Sequence, residues 1–518
     1  MRKTLILWVD DEIDLLKPHI LFLEEKGYEV VTTNNGYDAV DLVKEKNFDL
    51  IFLDEMMPGL SGLETLDKIK SVAPNLPVIM ITKSEEEDIM NAAIGSKISD
   101  YLIKPVNPNQ ILLSIKKNIE QKRLVSEKTT TDYQTEFGKI GMAISMAADY
   151  QDWIDIYKKL VYWEVEIAKS PDSGLHEVLK LQKDEANNAF VKFVKSKYTS
   201  WFSQNDQPKP LISPNIFKST VFPLLENGEK VVFILIDNFR FDQWKTIAPV
   251  INEYFTIEKE DLYYAILPTS TQYARNAIFS GLMPLEISQL FPELWTEEDD
   301  DEGKNLYEEE LLRKQINRNG EKCKMQFEKI LNLKAGKKLV DNLAQMMNND
   351  LSVIVYNFVD MLSHARTEME MIKELASDEA AYRSITLSWF QHSPLFEFMK
   401  GISHTNLHII LTTDHGTIRV NNPVKVVGDK RTTTNLRFKQ GKNLNYNSKE
   451  VLEIKDPTLV HLPKDNLTST YIFANRNDFL VYPNNYNYYV NYYKNTFQHG
   501  GVSMEEMIVP LITLKTGK

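Results

Sequence analysis

The chain has 518 residues, 43% hydrophobic and 26% charged, enough for about three domains with substantial cores. Sixty Lys and Arg against 73 Asp and Glu give a net charge of −13, which argues against direct binding of duplex DNA through a basic face. A single cysteine, Cys323, excludes an intrachain disulfide and fits a reducing, cytoplasmic setting. No apolar run approaches the roughly 20 residues that span a bilayer, so no membrane insertion is expected.

Residues 1–120 alternate short apolar runs with amphipathic stretches. The runs Thr4–Val9, Glu29–Thr32, Leu50–Leu53, Val78–Ile81 and Tyr101–Ile103 predict strands, and Asp14–Lys26, Gly36–Lys46 and Gly62–Ala73 predict helices. The basic start and apolar run of MRKTLILWVDDE mimic a signal peptide, but Asp10, Asp11 and Glu12 end the run without a small-residue cleavage site. The segment reads as a first strand. Five strands in alternation with helices predict a doubly wound parallel sheet. Asp10 and Asp11 then follow the first strand and Asp54 ends the third, at the carboxyl edge where sites assemble. Three converging carboxylates need a cation, and oxygen-only donors at a phosphoryl site favour magnesium. Thr82 and Lys104, after the fourth and fifth strands, offer a hydroxyl and an ammonium to phosphoryl oxygens.

Residues 121–205 change period. Trp153, Ile156, Tyr157, Leu160, Trp163 and Ile167 fall on one helix face. Ser170–Gly174 breaks the pattern, and Ser173 is placed to cap a helix running to Tyr198. A small helical bundle with an aromatic core is expected. Asn205–Pro214, with three prolines, reads as a linker.

Alternation resumes beyond residue 215, with strand-like runs at Val231–Ile236, Tyr263–Leu267, Ser352–Phe358 and Leu407–Leu411. Metal-binding side chains follow them: Asp237, Asp360 with His364, Asp414 with His415, and Thr271; His499 stands in a late QHGG. Three aspartates, three histidines and a hydroxyl are too many for one tetrahedral ion and enough for two. Mixed His/Asp ligation suits zinc or manganese better than calcium. The acidic run 297–310 reads as a solvated insertion or helix start. Residues 425–442 hold six basic residues and one acidic one, making Lys430, Arg431 and Arg437 candidate substrate contacts. Tyr482, Tyr486, Tyr488, Tyr489, Tyr492 and Tyr493 are read either as strand packing or as a surface for stacking nucleobases.

The first 120 residues resemble the receiver domain of response regulators, end to end. The resemblance implies Asp54 as phospho-acceptor, Thr82 and Tyr101 as switch residues, Lys104 as phosphoryl contact, and Asp10, Asp11 and Asp54 as magnesium ligands. It also implies a sensor histidine kinase as partner and a homodimer on phosphorylation, through the face between the fourth helix and fifth strand. Residues 215–518 resemble the PglZ branch of the alkaline phosphatase superfamily. That likeness implies two zinc ions per chain, one held by Asp360, His364 and His499, the other by Asp237, Asp414 and His415. Thr271 would be a nucleophile beside the second. The expected layout is receiver 1–120, helical bundle 121–205 and alkaline-phosphatase-like α/β domain 206–518. In that order the chain resembles PorX-type response regulators, which implies a link to type IX secretion and partners in the secretion system or in transcription. The function expected is a phosphorylation-controlled zinc phosphodiesterase or phosphatase acting on nucleotide or oligonucleotide phosphodiesters. The alternative is a non-catalytic, zinc-stabilised module acting through protein contacts.

Overall fold

The computed structural model describes residues 3–74, 76–83, 98–169, 173–203, 208–295, 306–368, 374, 376, 378–428, 432–464 and 468–517. Within helical segments at 120–128 and 364–368 the backbone alone is described. The chain divides into two compact units, Met1–Asp132 and Tyr133–Lys518.

The first unit carries a five-stranded sheet of β1 (Leu5–Val9), β2 (Glu29–Thr33), β3 (Leu50–Asp54), β4 (Val78–Thr82) and β5 (Asp100–Ile103), ordered β2-β1-β3-β4-β5. All its pairings are parallel. β3 and β4 are buried along their whole length because helices cover both faces. Helices α1 (Lys17–Glu25), α2 (Gly36–Glu45) and α3 (Gly62–Val72) lie close to the expected spans. Asp14–Leu16, expected as the start of α1, belongs instead to a short 3-10 turn, Ile13–Leu16, because Pro18 favours the first turn of an α-helix. Ser61 and Glu64 form a capping box at the start of α3.

The second unit joins the helical region to a six-stranded mixed sheet. Helix α4 (Tyr150–Ile167) carries the aromatic stripe read from the sequence, and α5 (Ser173–Lys197) packs against it. The sheet runs β7-β11-β10-β6-β9-β8, where β6 is Val231–Ile236, β7 Thr256–Tyr264, β8 Met325–Ile330, β9 Leu351–Tyr356, β10 His408–Thr412 and β11 Ile508–Lys515. The strands β10, β6, β9 and β8 pair in parallel, and β11 is antiparallel to both β10 and β7. The strand expected at Tyr263–Leu267 starts earlier and ends at Tyr264. Its first two thirds, Thr256–Asp261, are mostly polar and exposed, so an apolar run did not reveal them.

Bundle and sheet share one core. Phe190 of α5 packs on Trp153 at 5.4 Å and stacks on Tyr264 of β7 at 6.4 Å; Tyr157 of α4 meets Phe241 at 6.2 Å. Charged groups follow the same seam. Glu164 of α4 accepts from Arg383 at 2.8 Å and from Lys183 at 2.6 Å, and Asn187 donates to Glu505 at 2.9 Å. The aromatic stripe therefore seals the bundle to the domain that follows. Phe190→Ala should destabilise the second unit by about 3–5 kcal/mol, the usual scale for a buried phenylalanine. Urea unfolding with hydrogen exchange checks this: protection on α5 and on β6 should fall together.

Candidate metal centre and phospho-acceptor site

In the first unit, Asp10 and Asp54 are buried and Asp11 is exposed, with oxygens of all three within 4.8 Å of one another. Lys104 Nζ lies 2.8 Å from Asp54 Oδ1 and 2.9 Å from Asp10 Oδ2. One ammonium facing three carboxylates leaves a deficit of positive charge. Burial raises the Asp54 carboxyl above the usual range, Lys104 opposes this, and Asp10 and Asp11 add to it. An oxygen-donor set with excess negative charge fits a hard divalent cation. Thr82 is buried, and its hydroxyl donates to Glu55 Oε2. Tyr101 is half-buried on β5 against the apolar cluster that contains Val9, Leu53 and Met80. Residues 84–97, where the fourth helix of the expected dimer face falls, lie outside the described residues.

In the second unit the candidate ligands meet at the carboxyl edge of the parallel strands, as strand direction dictates. Asp237 follows β6 and Asp414 follows β10, while Asp360 sits in the first turn of α6 (Phe358–Glu368) after β9. Thr271 opens α7 (Thr271–Ser280), seven residues beyond β7. Asp237, Asp414 and His415 are buried and bring ligand atoms within 4.8 Å of one another. His415 Nε2 is 4.0 Å from Asp237 Oδ1 and 3.8 Å from Asp414 Oδ2, and Thr271 Oγ1 donates to it across 3.1 Å. The rings of His415 and His499 stack at 4.3 Å, and His499 Nε2 lies 3.8 Å from Asp360 Oδ1. His364 is one turn beyond Asp360 on α6, and its side chain lies outside the described residues.

The histidines are held in one tautomer. His415 Nδ1 donates to Gly416 O at 3.1 Å and His499 Nδ1 donates to Thr269 O at 3.2 Å. A carbonyl only accepts, so in the neutral imidazole the lone pair falls on Nε2, the arrangement of metal-binding histidines. Asp237 Oδ1 is buried without a hydrogen-bond partner. Burial pushes Asp237 well above the usual carboxylate range, with Arg275 opposing and Asp414 and Asp360 adding to it. Asp414 sits at about 2: burial raises it, but Arg275, His415 and backbone N–H groups outweigh burial. An orphaned carboxylate oxygen beside two lone-pair nitrogens fits a borderline divalent ion such as zinc.

The neighbouring hydroxyls divide clearly. Thr269 is fully buried; its Oγ1 donates to Gly501 O at 2.9 Å and accepts from Gly500 N at 3.0 Å. Thr271 is half-buried, so it faces both the ligands and solvent. Gly416 of the DHG segment admits no side chain, since a Cβ there would collide with Glu505 O.

Of the candidate substrate contacts, Lys430 and Arg431 lie outside the described residues. Arg437 is fully buried and cannot serve as one. Its Nε and Nη2 donate to Glu506 at 3.0 and 2.6 Å, and its other donors go to the carbonyls of Arg476 and Asp478. Glu506 also accepts from Gly501 N at 2.9 Å, so the pair fastens the loop carrying His499. The tyrosine run forms a helix, Tyr486–Tyr493, not a strand. Tyr488, Tyr489 and Tyr492 are exposed on it, while Tyr486 and Tyr493 pack on Phe479 and Val481.

Sequence reasoning missed Arg275, Glu308 and Asn238. Arg275 is one helical turn beyond Thr271, on the same face, but nothing in its local sequence marks it as buried. Glu308 belongs to the acidic run, yet it is only 2% exposed and pairs with Arg275 at 3.2 Å. Asn238 adopts φ 61° and donates from Nδ2 to Asp360 Oδ1 at 3.3 Å.

Three family models match the chain: the response regulator receiver domain over residues 6–116, the PorX response regulator linker domain over 123–202, and the BREX system PglZ alkaline phosphatase-like domain over 216–514. The last covers more than half of the chain, which belongs to the PglZ alkaline phosphatase-like family and carries a response-regulator receiver ahead of it. Among curated proteins, the transcriptional regulatory protein ZraR of Klebsiella oxytoca is 35% identical over 143 residues, 28% of this chain and 32% of that protein. ResD of Bacillus subtilis is 35% identical over 115 residues, 22% of this chain and 48% of its own. The chain thus spans about a third to a half of the length of these relatives. The receiver domain of NtrX from Brucella abortus is similar at 32% identity, over 22% of this chain and 98% of that one, with a TM-score of 0.21. No described helix is long and apolar enough to cross a membrane.

Arg437→Met should strand the Glu506 charge in the interior and cost about 3–5 kcal/mol, the scale for breaking a buried ion pair. Equilibrium denaturation of the full chain checks it; a loss below about 1 kcal/mol would mean that Glu506 finds another partner or a proton at little cost.

Proposed function

We propose that this chain is a two-component response regulator in which phosphorylation of Asp54 controls a zinc-dependent phosphodiesterase or phosphatase. One observation carries the enzymatic reading: the half-buried Thr271 hydroxyl sits 3.1 Å from His415 Nε2, at the rim of the Asp237, Asp414 and His415 cluster. Asp237, Asp414 and His415 would hold one zinc with Thr271 beside it, and Asp360, His364 and His499 the other. Zinc in these positions would lower the pKa of a bound hydroxyl and polarise a phosphoryl oxygen.

The chain's own groups supply the rest. α7 holds Thr271 at its first turn, so the hydroxyl is aimed from a rigid element. Attack by Oγ forms an O–P bond to Thr271 and expels the leaving alcohol; water then cleaves that bond and releases phosphate or a phosphomonoester. The carbonyls of Gly416 and Thr269 keep both histidines from turning. Asp360 and His499, 18% and 15% exposed in their side chains, would border the way in for substrate. The exposed tyrosines of the helix that leads toward His499 support a nucleotide or oligonucleotide phosphodiester as substrate, because every base offers a face for stacking. Magnesium at Asp10, Asp11 and Asp54 would support phosphoryl transfer to Asp54, with Thr82, Tyr101 and Lys104 responding. The output would be control of type IX secretion from the cytoplasm, through a phosphorylation-dependent homodimer and secretion or transcription partners.

Thr271→Ala should lower turnover of an activated phosphodiester at least about a hundredfold, the scale for losing a catalytic group. Thr271→Ser should keep more activity, and each variant should retain two zinc ions by elemental analysis. Wild-type turnover by zinc-loaded Thr271→Ala would exclude this nucleophile. No turnover of any ester by zinc-loaded, phosphorylated wild type would favour an interaction module.

The receiver has its own test. Sedimentation with beryllofluoride and magnesium should show wild type shifting from monomer to dimer and Asp54→Ala remaining monomeric. An identical response from both proteins would refute Asp54 as acceptor.

A further inference from the structure

Arg275 is fully buried one turn beyond Thr271 on α7, and it reaches three carboxylates at once. Its Nη2 ion-pairs with Asp237 Oδ2, its Nε donates to Asp414 Oδ2 at 2.9 Å, and its Nη1 donates to Glu308 Oε1 at 3.2 Å. Lys329 Nζ meets the other oxygen of Glu308 at 2.8 Å. The carboxylates come from the end of β6, the end of β10 and the helix Glu308–Arg318, so no local sequence relation sets their spacing. A guanidinium is planar, with its donors in a rigid fork. Two carboxylates on adjacent edges of that fork are held at one separation.

The choice of oxygens matters. Arg275 takes Oδ2 of Asp237 and leaves Oδ1 buried without a partner, 4.0 Å from His415 Nε2. Asp414 Oδ1 is fixed separately by the N–H groups of His415 at 3.1 Å and Asn238 at 3.4 Å. Asp237 therefore has its plane set from behind while its Oδ1 is left to the site, and Asp414 has both oxygens held, with Oδ2 3.8 Å from His415 Nε2. An arginine serving only the stability of the fold would need no such division. Buried ion pairs are weak stabilisers when an apolar group of similar volume could replace them, and the Arg275 and Lys329 cations do not balance Asp237, Asp414 and Glu308.

We propose that Arg275, anchored by Glu308 and Lys329, is a positioning residue that presets Asp237 and Asp414 to receive a divalent metal. The inference rests on the zinc reading of this site and adds what shapes it. Arg275→Lys keeps the charge but loses the fork. Glu308→Gln touches neither ligand and loosens only the anchor.

The experiment is chelator competition for zinc on the full chain, with cobalt absorption spectra as a second readout and urea denaturation as a fold control. In Arg275→Lys, affinity for the second zinc should fall about 10–100-fold, the scale for losing an outer partner of a ligand, with altered cobalt bands. In Glu308→Gln the same changes should be smaller. Folded Arg275→Lys with wild-type zinc affinity and spectrum would overturn the role of Arg275. If Arg275→Lys does not fold, unchanged affinity in Glu308→Gln would overturn it equally. Wild type that binds no zinc at Asp237, Asp414 and His415 would overturn the metal reading itself, and this inference with it.

Discussion

Carboxylates removed from water repel one another, and the two chemical centres of this chain are organised around that repulsion. Each gathers aspartates at the carboxyl edge of a parallel sheet, where strand direction brings loops together whatever their distance in sequence. In the first unit Lys104 stands between Asp10 and Asp54. In the second Arg275 stands between Asp237 and Asp414. Neither cation neutralises its cluster, and in the second Asp237 Oδ1 is left buried without a hydrogen-bond partner.

The surroundings of the second centre serve to keep that cluster in place. Arg437 and Glu506 fasten the glycine turn after His499, and Gly416 lets the chain pass close to Glu505. Glu505 is also where the bundle takes hold, through Asn187 and through Lys183 at 3.3 Å. The aromatic stripe of α4, with Phe190 of α5, thereby does more than close a helical core. It fixes helices against β7 and against the segment that leads from His499 into β11. The bundle belongs mechanically to the unit that holds the candidate metal-binding side chains.

Arg240 extends this seam toward the same loops. It is buried, pairs with Asp242 and Glu379 at 2.6 Å each, and lies 5.3 Å over the ring of Phe497, two residues before His499. Tyr382 stacks on Phe497 at 4.3 Å, and its hydroxyl meets Ser363 Oγ at 2.6 Å, next to His364. Charged groups of α4 and the backbone around two histidines of the centre thus belong to one packed network.

The sequence by itself determined the strands that are buried on both faces and the acidic residues that follow them. Val231–Ile236 could be read without error because a fully buried parallel strand is an unbroken apolar run. The positions of Asp54 and Asp237 were legible because each stands directly at the end of such a run, and that of Asp414 because it follows one by two residues. Thr256–Asp261 was not legible, since an edge segment with polar, exposed positions carries no such signal. Arg275, Glu308 and Arg437 were out of reach for a different reason. A charged side chain looks solvated in sequence, and only the tertiary structure shows where each finds its opposite charge. Which cations clamp the ligands was decided there, because the partners are 33 to 139 residues apart and meet only after the sheet has formed.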